Sequence, residues 1–221
     1  MKIALLTIWH EKNYGAELQA YATIKAIKHL GHCPEMINIH LASKEQPSFL
    51  GRIANFIEKL LPASTKFERF WSYYIPKTKK YNSVSELYND PPQADIYIVG
   101  SDQVWRPSYF QYTKDAYLNF TGNFDVKRIA YAPSLGVDYW EYSECLTAKC
   151  KSLLCKFDAV SVREDSAVDL FERYMDRTVE HVLDPTMLLS REDYVKLCMN
   201  ARGLESHKDC ILSYVLDPVN E

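Results

Sequence analysis

The chain has 221 residues, of which 47% are apolar and 25% are charged, and its formal net charge is −3. This is the composition of an ordinary globular protein, and the length fits one large α/β domain or one domain with part of another. The net charge provides no basic surface for nucleic acid or for an anionic membrane, and no apolar run approaches the ~18 residues of a membrane-spanning helix. The apolar N-terminus is too short for a signal peptide, so we expect a cytoplasmic protein.

The cysteines do not have the spacing of a metal site. No Cys-x-x-Cys pair occurs, and Cys145, Cys150 and Cys155 are five residues apart, which scatters them around a helix axis. We therefore expect buried, reduced thiols and no bound metal.

The chain begins with a predicted strand and helix joined by a glycine-bearing loop. Residues 2–8 are an apolar run, and small or apolar residues recur at helical spacing over residues 16–30. The helix N-terminus would direct free N–H groups at a ligand, so Asn13 and Gly15 are candidate binding residues. The alternative for Asn13 is an ordinary helix cap. The loop is not Gly-x-Gly-x-x-Gly, so a dinucleotide site is not indicated.

A second strand is predicted at residues 35–39, and a segment of different character follows it. Residues 42–93 are aromatic-rich and basic, with helices predicted near 49–60, 64–74 and 84–89. We interpret this segment as a helical insertion lying over the sheet. The three lysines at positions 77, 79 and 80 are interpreted as a solvated positive patch.

The central predicted strand provides the main indication of a functional site. Residues 96–99 are a short apolar run typical of a parallel strand buried on both faces. Ser101, Asp102 and Trp105 follow it, at the carboxyl end of the strand, where ligands bind in open α/β sheets. A hydroxyl, a carboxylate and an indole suit a polyhydroxylated substrate such as a sugar. The alternative is that Asp102 caps a turn and Trp105 fills a gap in the core.

Two later strands are predicted to end at the same edge. The first contains Arg128 and Tyr131 and ends at a proline, with Ser134 and Gly136 at its carboxyl tip. The second covers residues 157–162 and is followed directly by Arg163, whose guanidinium suits a carboxylate or a phosphate. The alternative for Arg163 is a salt bridge to a neighbouring Glu or Asp.

The remaining elements predict where the domains divide. Helices are expected near residues 141–156, 165–174 and 190–199, a strand and turn at 181–186, and a last strand at 210–215. We expect a Rossmann-like domain at residues 1–205. Residues 206–221 would begin a second such domain whose remainder is missing.

Several loop motifs, taken in order, resemble the polysaccharide pyruvyl transferase family. They are Asn13-Tyr14-Gly15-Ala16-Glu17-Leu18-Gln19-Ala20, Gly100-Ser101-Asp102-Gln103-Val104-Trp105, Arg128-Ile129-Ala130-Tyr131-Ala132-Pro133-Ser134-Leu135-Gly136, Ser161-Val162-Arg163-Glu164-Asp165-Ser166, Val182-Leu183-Asp184-Pro185-Thr186 and Ile211-Leu212-Ser213-Tyr214. The resemblance implies an α/β fold, with a Rossmann-like parallel sheet flanked by helices as the N-terminal half of a GT-B-type two-domain architecture. It also implies transfer of the enolpyruvyl carbons of phosphoenolpyruvate onto two sugar hydroxyls, with no cofactor besides this donor.

This chemistry suggests roles for the candidate residues. Asp102 would be the acid/base group or would orient the acceptor hydroxyl, and Arg163 would be the anion clamp, with Arg128 as a second candidate. The residues that would shape the sugar site are Ser101, Trp105, Tyr131 and Ser134, with Asn13 and Gly15 at the helix end.

Two other functions remain open at this point. One is a GT-B-type glycosyltransferase that uses a nucleotide sugar, and the other is a non-catalytic carbohydrate-binding protein. The expected partners are a small-molecule donor and a sugar or lipid-linked glycan acceptor, which would bring the protein to the membrane periphery. Nucleic acid is not expected. The aromatic side chains also suit a homodimer interface.

Overall fold

A computed structural model describes residues 1–8, 13–39 and 66–199. The chain divides into two compact units, Met1–Leu188 and Leu189–Glu221, and all the described strands belong to the first. The strands are β1 Lys2–Leu6, β2 Cys33–Ile39, β3 Lys77–Tyr81, β4 Ile96–Val99, β5 Lys127–Ala130, β6 Ala159–Val162 and β7 Glu180–His181. The helices are α1 Tyr14–His29, α2 Lys66–Tyr74, α3 Val84–Asn89, α4 Glu144–Leu154, α5 Asp165–Met175 and α6 Arg191–Cys198. Short 3₁₀ turns cover Asp115–Tyr117, Asn119–Thr121 and Pro185–Leu188.

The strands form one parallel sheet in the order β3-β2-β1-β4-β5-β6-β7. The chain runs outward from β1 to β3, returns to β4 beside β1, and then runs outward in the opposite direction. This order is that of a Rossmann-like sheet, and the reversal between β1 and β4 is the switch point at which such folds bind ligands. The predicted α/β class with a parallel sheet flanked by helices is confirmed.

The centre of the sheet is buried on both faces. All four residues of β4 are buried, and its flanking partners β1 and β5 contribute further apolar side chains to the core. Strands of this kind are continuous apolar runs, which is why β4 was predicted with the bounds that the structure has. In the same unit, the left-handed backbone of Gly31 (φ +79°) follows α1 where a cap was expected.

One predicted element differs from the structure. Lys77–Tyr81, which we placed inside a helical insertion, is strand β3 and pairs with β2 through Met36 and Lys77 and through Ile39 and Tyr81. Its sequence contains three lysines and a single buried residue, Tyr81, so it lacks the apolar run or regular alternation by which strands are recognised. The helices predicted at 64–74 and 84–89 correspond to α2 and α3.

Other predictions fall on undescribed parts of the chain. The helix predicted at 49–60, the strand at 210–215 and the domain beginning at 206 lie outside the described residues.

Four of the five described cysteines are exposed and only Cys150 is buried, so the expectation of buried thiols was wrong for most of them. None of the helices in the described ranges is long and apolar enough to cross a lipid bilayer.

Candidate functional site

The loops after β4, β5, β6 and β7 come together at the carboxyl edge of the sheet. Asp102 and Pro133 form an isolated parallel bridge beyond the ends of β4 and β5. The Arg163 N–H then donates to the Pro133 carbonyl (3.2 Å), and the Val182 N–H donates to the Val162 carbonyl (3.0 Å). The ladder of the sheet thus continues into the loops and fixes their polar residues side by side.

A carboxylate, a hydroxyl and a guanidinium meet at this edge. Asp184 Oδ2 accepts hydrogen bonds from Ser101 Oγ at 2.9 Å and from Arg163 Nη1 at 3.2 Å. Arg163 Nη1 is also 3.3 Å from Ser101 Oγ. The other carboxylate oxygen of Asp184 accepts from the N–H and the hydroxyl of Thr186, at 2.9 and 2.7 Å. Three loops are therefore joined through the single side chain of Asp184.

Glu164 forms a second junction beside the first. Its carboxylate accepts hydrogen bonds from Ser134 Oγ, from the Leu135 N–H at 3.3 Å and from Arg163 Nε at 3.4 Å. The Arg163 guanidinium thus lies between two carboxylates. Its Nη2 makes no hydrogen bond to any residue that the structure describes.

The backbone at this edge is strained. Asp102 has φ 85° and Ala132 has φ 52°, a left-handed region that L-residues other than Asn and Asp rarely occupy. The Asp102 carbonyl accepts from the Ser134 and Val104 N–H groups, and Thr7 at the end of β1 donates its hydroxyl to the Ser101 carbonyl. Backbone strain that is held in place by several bonds clusters at functional sites.

The environments of the two aspartates move their pKa values in opposite directions. Burial raises the pKa of Asp102, and the charge of Asp184 adds to this, although the Gln103 N–H and Arg163 act the other way. Burial alone would also raise the pKa of Asp184, but hydrogen bonds from Thr186, Ser101 and Arg163 outweigh burial and lower it. Pairs of carboxyl groups separated in this way are a frequent basis for acid and base roles in one site.

The structure brings five of the predicted residues to this edge. Ser101, Asp102, Ser134 and Arg163 belong to the bonded network just described. Tyr131 is adjacent to it, because its hydroxyl donates to the Leu183 carbonyl (3.3 Å) and the charge of Asp184 helps burial to raise its pKa. For Arg163, the salt bridge that sequence reasoning held as the alternative is present, to both Asp184 and Glu164.

Trp105 lies in the core and not at the carboxyl edge of the sheet. It is fully buried, stacks on Tyr117 (ring centroids 4.6 Å apart) and Phe171 (5.2 Å), and donates its indole N–H to the Ala116 carbonyl. The structure therefore supports the alternative interpretation, in which Trp105 is a core residue.

Arg128 is also placed elsewhere. It is the second residue of β5, near the amino end of that strand, and it is buried. Its guanidinium donates to Thr121 Oγ1 and to the carbonyls of Val126 and Phe124, at 2.9 to 3.1 Å. These bonds tie down the loop before β5, so the structure does not bring Arg128 to the edge where we expected it.

The N-terminal loop residues have a local role. Asn13 Oδ1 accepts from the N–H groups of Gly15 (2.8 Å) and Ala16 (3.4 Å), so Asn13 is the cap of α1, as its alternative interpretation held. Gly15 is exposed in the first turn of the helix.

Sequence reasoning did not select Glu164 and Asp184 as site residues. Both occur in the motifs quoted above, and each had a usable signal. Glu164 is the second residue after β6, and Asp184 follows β7 and precedes a proline turn, which are positions at the carboxyl ends of parallel strands.

Together, the sheet order and the polar network define a Rossmann-like domain with a cluster of carboxylates, hydroxyls and one arginine at its ligand-binding edge. Residues 13–218 match the family model for polysaccharide pyruvyl transferase. The match covers nearly the whole chain, which therefore belongs to this family of transferases. Comparison with curated proteins and with solved structures gives no significant match.

Proposed function

We propose that this protein transfers pyruvate from phosphoenolpyruvate to two hydroxyls of a sugar as a cyclic ketal, in the synthesis of an exopolysaccharide or capsule. Family membership supports the reaction class. The observation that carries the assignment to residues is the position of Asp102 beside Arg163 at one edge of the sheet. An acid and a cation are the two groups that this donor requires.

Arg163 is the group that binds the anionic donor. Its side chain is 28% exposed, and Nη2 has no partner among the described residues, so an N–H edge remains for the carboxylate or phosphate of phosphoenolpyruvate. Charge-assisted hydrogen bonds from an arginine to such groups are among the strong ones in proteins.

Asp102 supplies and recovers a proton. Its raised pKa favours the protonated form that can deliver a proton to the C3 methylene while a sugar hydroxyl adds to C2. A second hydroxyl then displaces phosphate from C2 and closes the ketal. One of the two hydroxyl protons restores Asp102, and the other leaves with the phosphate, so the protons balance.

The test is release of phosphate from phosphoenolpyruvate in the presence of a panel of glycans. Wild-type protein should release phosphate and form a ketal with one glycan class, and Asp102→Asn should lower kcat by about 10²-fold or more, since a positioned acid contributes about that much. The matched control is Asp158→Asn. Asp158 also accepts a backbone hydrogen bond, from the Arg128 N–H (2.8 Å), but it lies just before β6, at the amino ends of the parallel strands and away from the candidate site.

Other outcomes would assign a different function. Release of a nucleoside diphosphate from a nucleotide sugar, with no turnover of phosphoenolpyruvate, would indicate a glycosyltransferase. Glycan binding without release of either product would indicate a binding protein. In the proposed function, this Rossmann-like domain is one half of a GT-B-type two-domain enzyme.

A further inference from the structure

The side chain of Asp184 bonds to both the Ser101 loop and the Arg163 loop. It accepts four hydrogen bonds, two at each carboxylate oxygen. Its own position is fixed by Thr186, two residues further on, through both a backbone and a side-chain donor. Asp184 is therefore held by its own loop and holds the other two.

This arrangement restricts the guanidinium of Arg163. A free arginine side chain samples many rotamers, and an anion that binds to it loses affinity because the side chain must give up this conformational entropy. Here Nη1 bonds to Asp184 and Nε bonds to Glu164, so two of the three nitrogens are fixed and the plane of the group is defined. Only Nη2 is left without a bond in the described part of the chain.

Asp184 is poorly suited to act as a counter-ion that a ligand displaces. Its side chain is 25% exposed, and two of its four bonds come from Thr186 and would remain if Arg163 moved away. Displacing it would also strip the acceptor from the buried hydroxyl of Ser101. Leaving a buried polar group unsatisfied costs about 1–3 kcal/mol.

We propose that Asp184 is a positioning residue for the anionic donor: it holds Arg163 by Nη1 and Ser101 by its hydroxyl, so that Nη2 of Arg163 is preset to receive a carboxylate or phosphate group. This inference rests on the proposed function, because it takes Arg163 as the anion-binding group. It adds a residue to which the sequence analysis gave no role.

The experiment measures anion binding by calorimetry with phosphoenolpyruvate, inorganic phosphate and pyruvate as separate probes. The proteins are wild type, Asp184→Asn, Arg163→Gln and the double variant. Asp184→Asn should weaken binding of phosphoenolpyruvate by about tenfold or more, as expected when one partner of a charge pair is removed. Because Asp184 acts through Arg163, the double variant should bind no more weakly than Arg163→Gln alone.

Kinetics give a second readout on the same variants. Asp184→Asn should raise KM for phosphoenolpyruvate by about tenfold and leave kcat at saturation within about threefold, because it removes orientation in the bound state and not the acid. Asp158→Asn, the same substitution at the amino ends of the strands, should change neither KM nor kcat.

A second variant covers the case in which Asp184→Asn does not fold. Thr186→Val removes one of the four bonds to Asp184 and keeps its charge, and it should weaken binding about two- to threefold. The inference is overturned if Asp184→Asn or Thr186→Val binds phosphoenolpyruvate as well as or better than wild type. Additive losses in the double variant also overturn it.

The outcomes separate this inference from the proposed function. Wild type that binds phosphoenolpyruvate without releasing phosphate refutes pyruvyl transfer but leaves the role of Asp184 measurable. Wild type that binds none of the three anions refutes the anion subsite, and the role of Asp184 with it.

Discussion

The Ser134 N–H donates to the carbonyl oxygen of Asp102 at 2.9 Å, so the loop after β5 holds the loop after β4. The bond matters because Asp102 has a left-handed backbone that most residues avoid. Both the strain and its restraint are located at the proposed acid.

Replacing Asp102 with glycine should separate conformational strain from chemistry. Glycine occupies positive φ without steric cost, so Asp102→Gly should retain or raise the free energy of unfolding by up to about 1 kcal/mol. Turnover should nevertheless fall as far as in Asp102→Asn, because the carboxyl group is gone. Denaturant unfolding together with phosphate release measures both effects. A variant that is strongly destabilised would show that the side chain of Asp102 is structural.

The raised pKa of Asp102 predicts a pH dependence of stability. A carboxyl group with a raised folded-state pKa contributes stability that is fully present below its ordinary pKa and is lost as pH rises through the folded-state value. Wild type should therefore be slightly less stable than Asp102→Asn at pH 7, and the difference should shrink or reverse as pH is lowered towards 4. Thermal unfolding of both proteins across this range tests the sign. Parallel curves would contradict the raised pKa.

Replacing Trp105 with phenylalanine should affect stability and not substrate affinity. The smaller ring leaves part of the space between Tyr117 and Phe171 empty, and the Ala116 carbonyl loses its buried donor, so the free energy of unfolding should fall by about 2–4 kcal/mol. KM for the glycan should stay within about twofold of wild type. A large rise in KM in a stable variant would restore the sugar-binding role that the sequence suggested.

The two arginines should respond differently to the same substitution. Arg128→Gln removes the donor to the buried Thr121 hydroxyl and the donors to the Val126 and Phe124 carbonyls, and it should cost about 1–3 kcal/mol of stability, with KM for phosphoenolpyruvate unchanged. Arg163→Gln should raise that KM by about tenfold or more at a smaller cost in stability, because Arg163 is partly exposed. Steady-state kinetics and chemical unfolding of the pair decide between the two roles. Equal effects on KM would contradict the separation.

The sequence predicted which residues lie at the carboxyl edge of the sheet better than it predicted the hydrogen bonds among them. Short apolar runs that stop at polar residues identified the tips at Ser101, Ser134 and Arg163, because parallel strands bring their carboxyl ends to one side. What those side chains bond to could not be read in the same way. The partner of Ser101 is Asp184, 83 positions away, and only the folded sheet brings the two together.

Trp105 and Arg128 show the other limit of sequence reasoning. A tryptophan just after a strand fits a ligand site and a core equally well, and its stacking partners, Tyr117 and Phe171, come from distant segments. Arg128 has its acceptors in the loop before its own strand, a region with no regular pattern. For Trp105, contacts with distant segments decided between the two interpretations that the local sequence left equal.

The lysine-rich strand β3 has a consequence for how copies of this protein meet. It lies at one end of the described sheet, and the strand at the other end, β7, has only two residues. An exposed strand edge is a template for pairing with another chain, and lysines or a very short strand block such pairing. Lys79 and Lys80 are exposed on β3, so two copies brought edge to edge would place like charges against each other. Although Lys79 is paired with Asp90, the lysines of β3 thus disfavour pairing of this strand with a second copy of the chain.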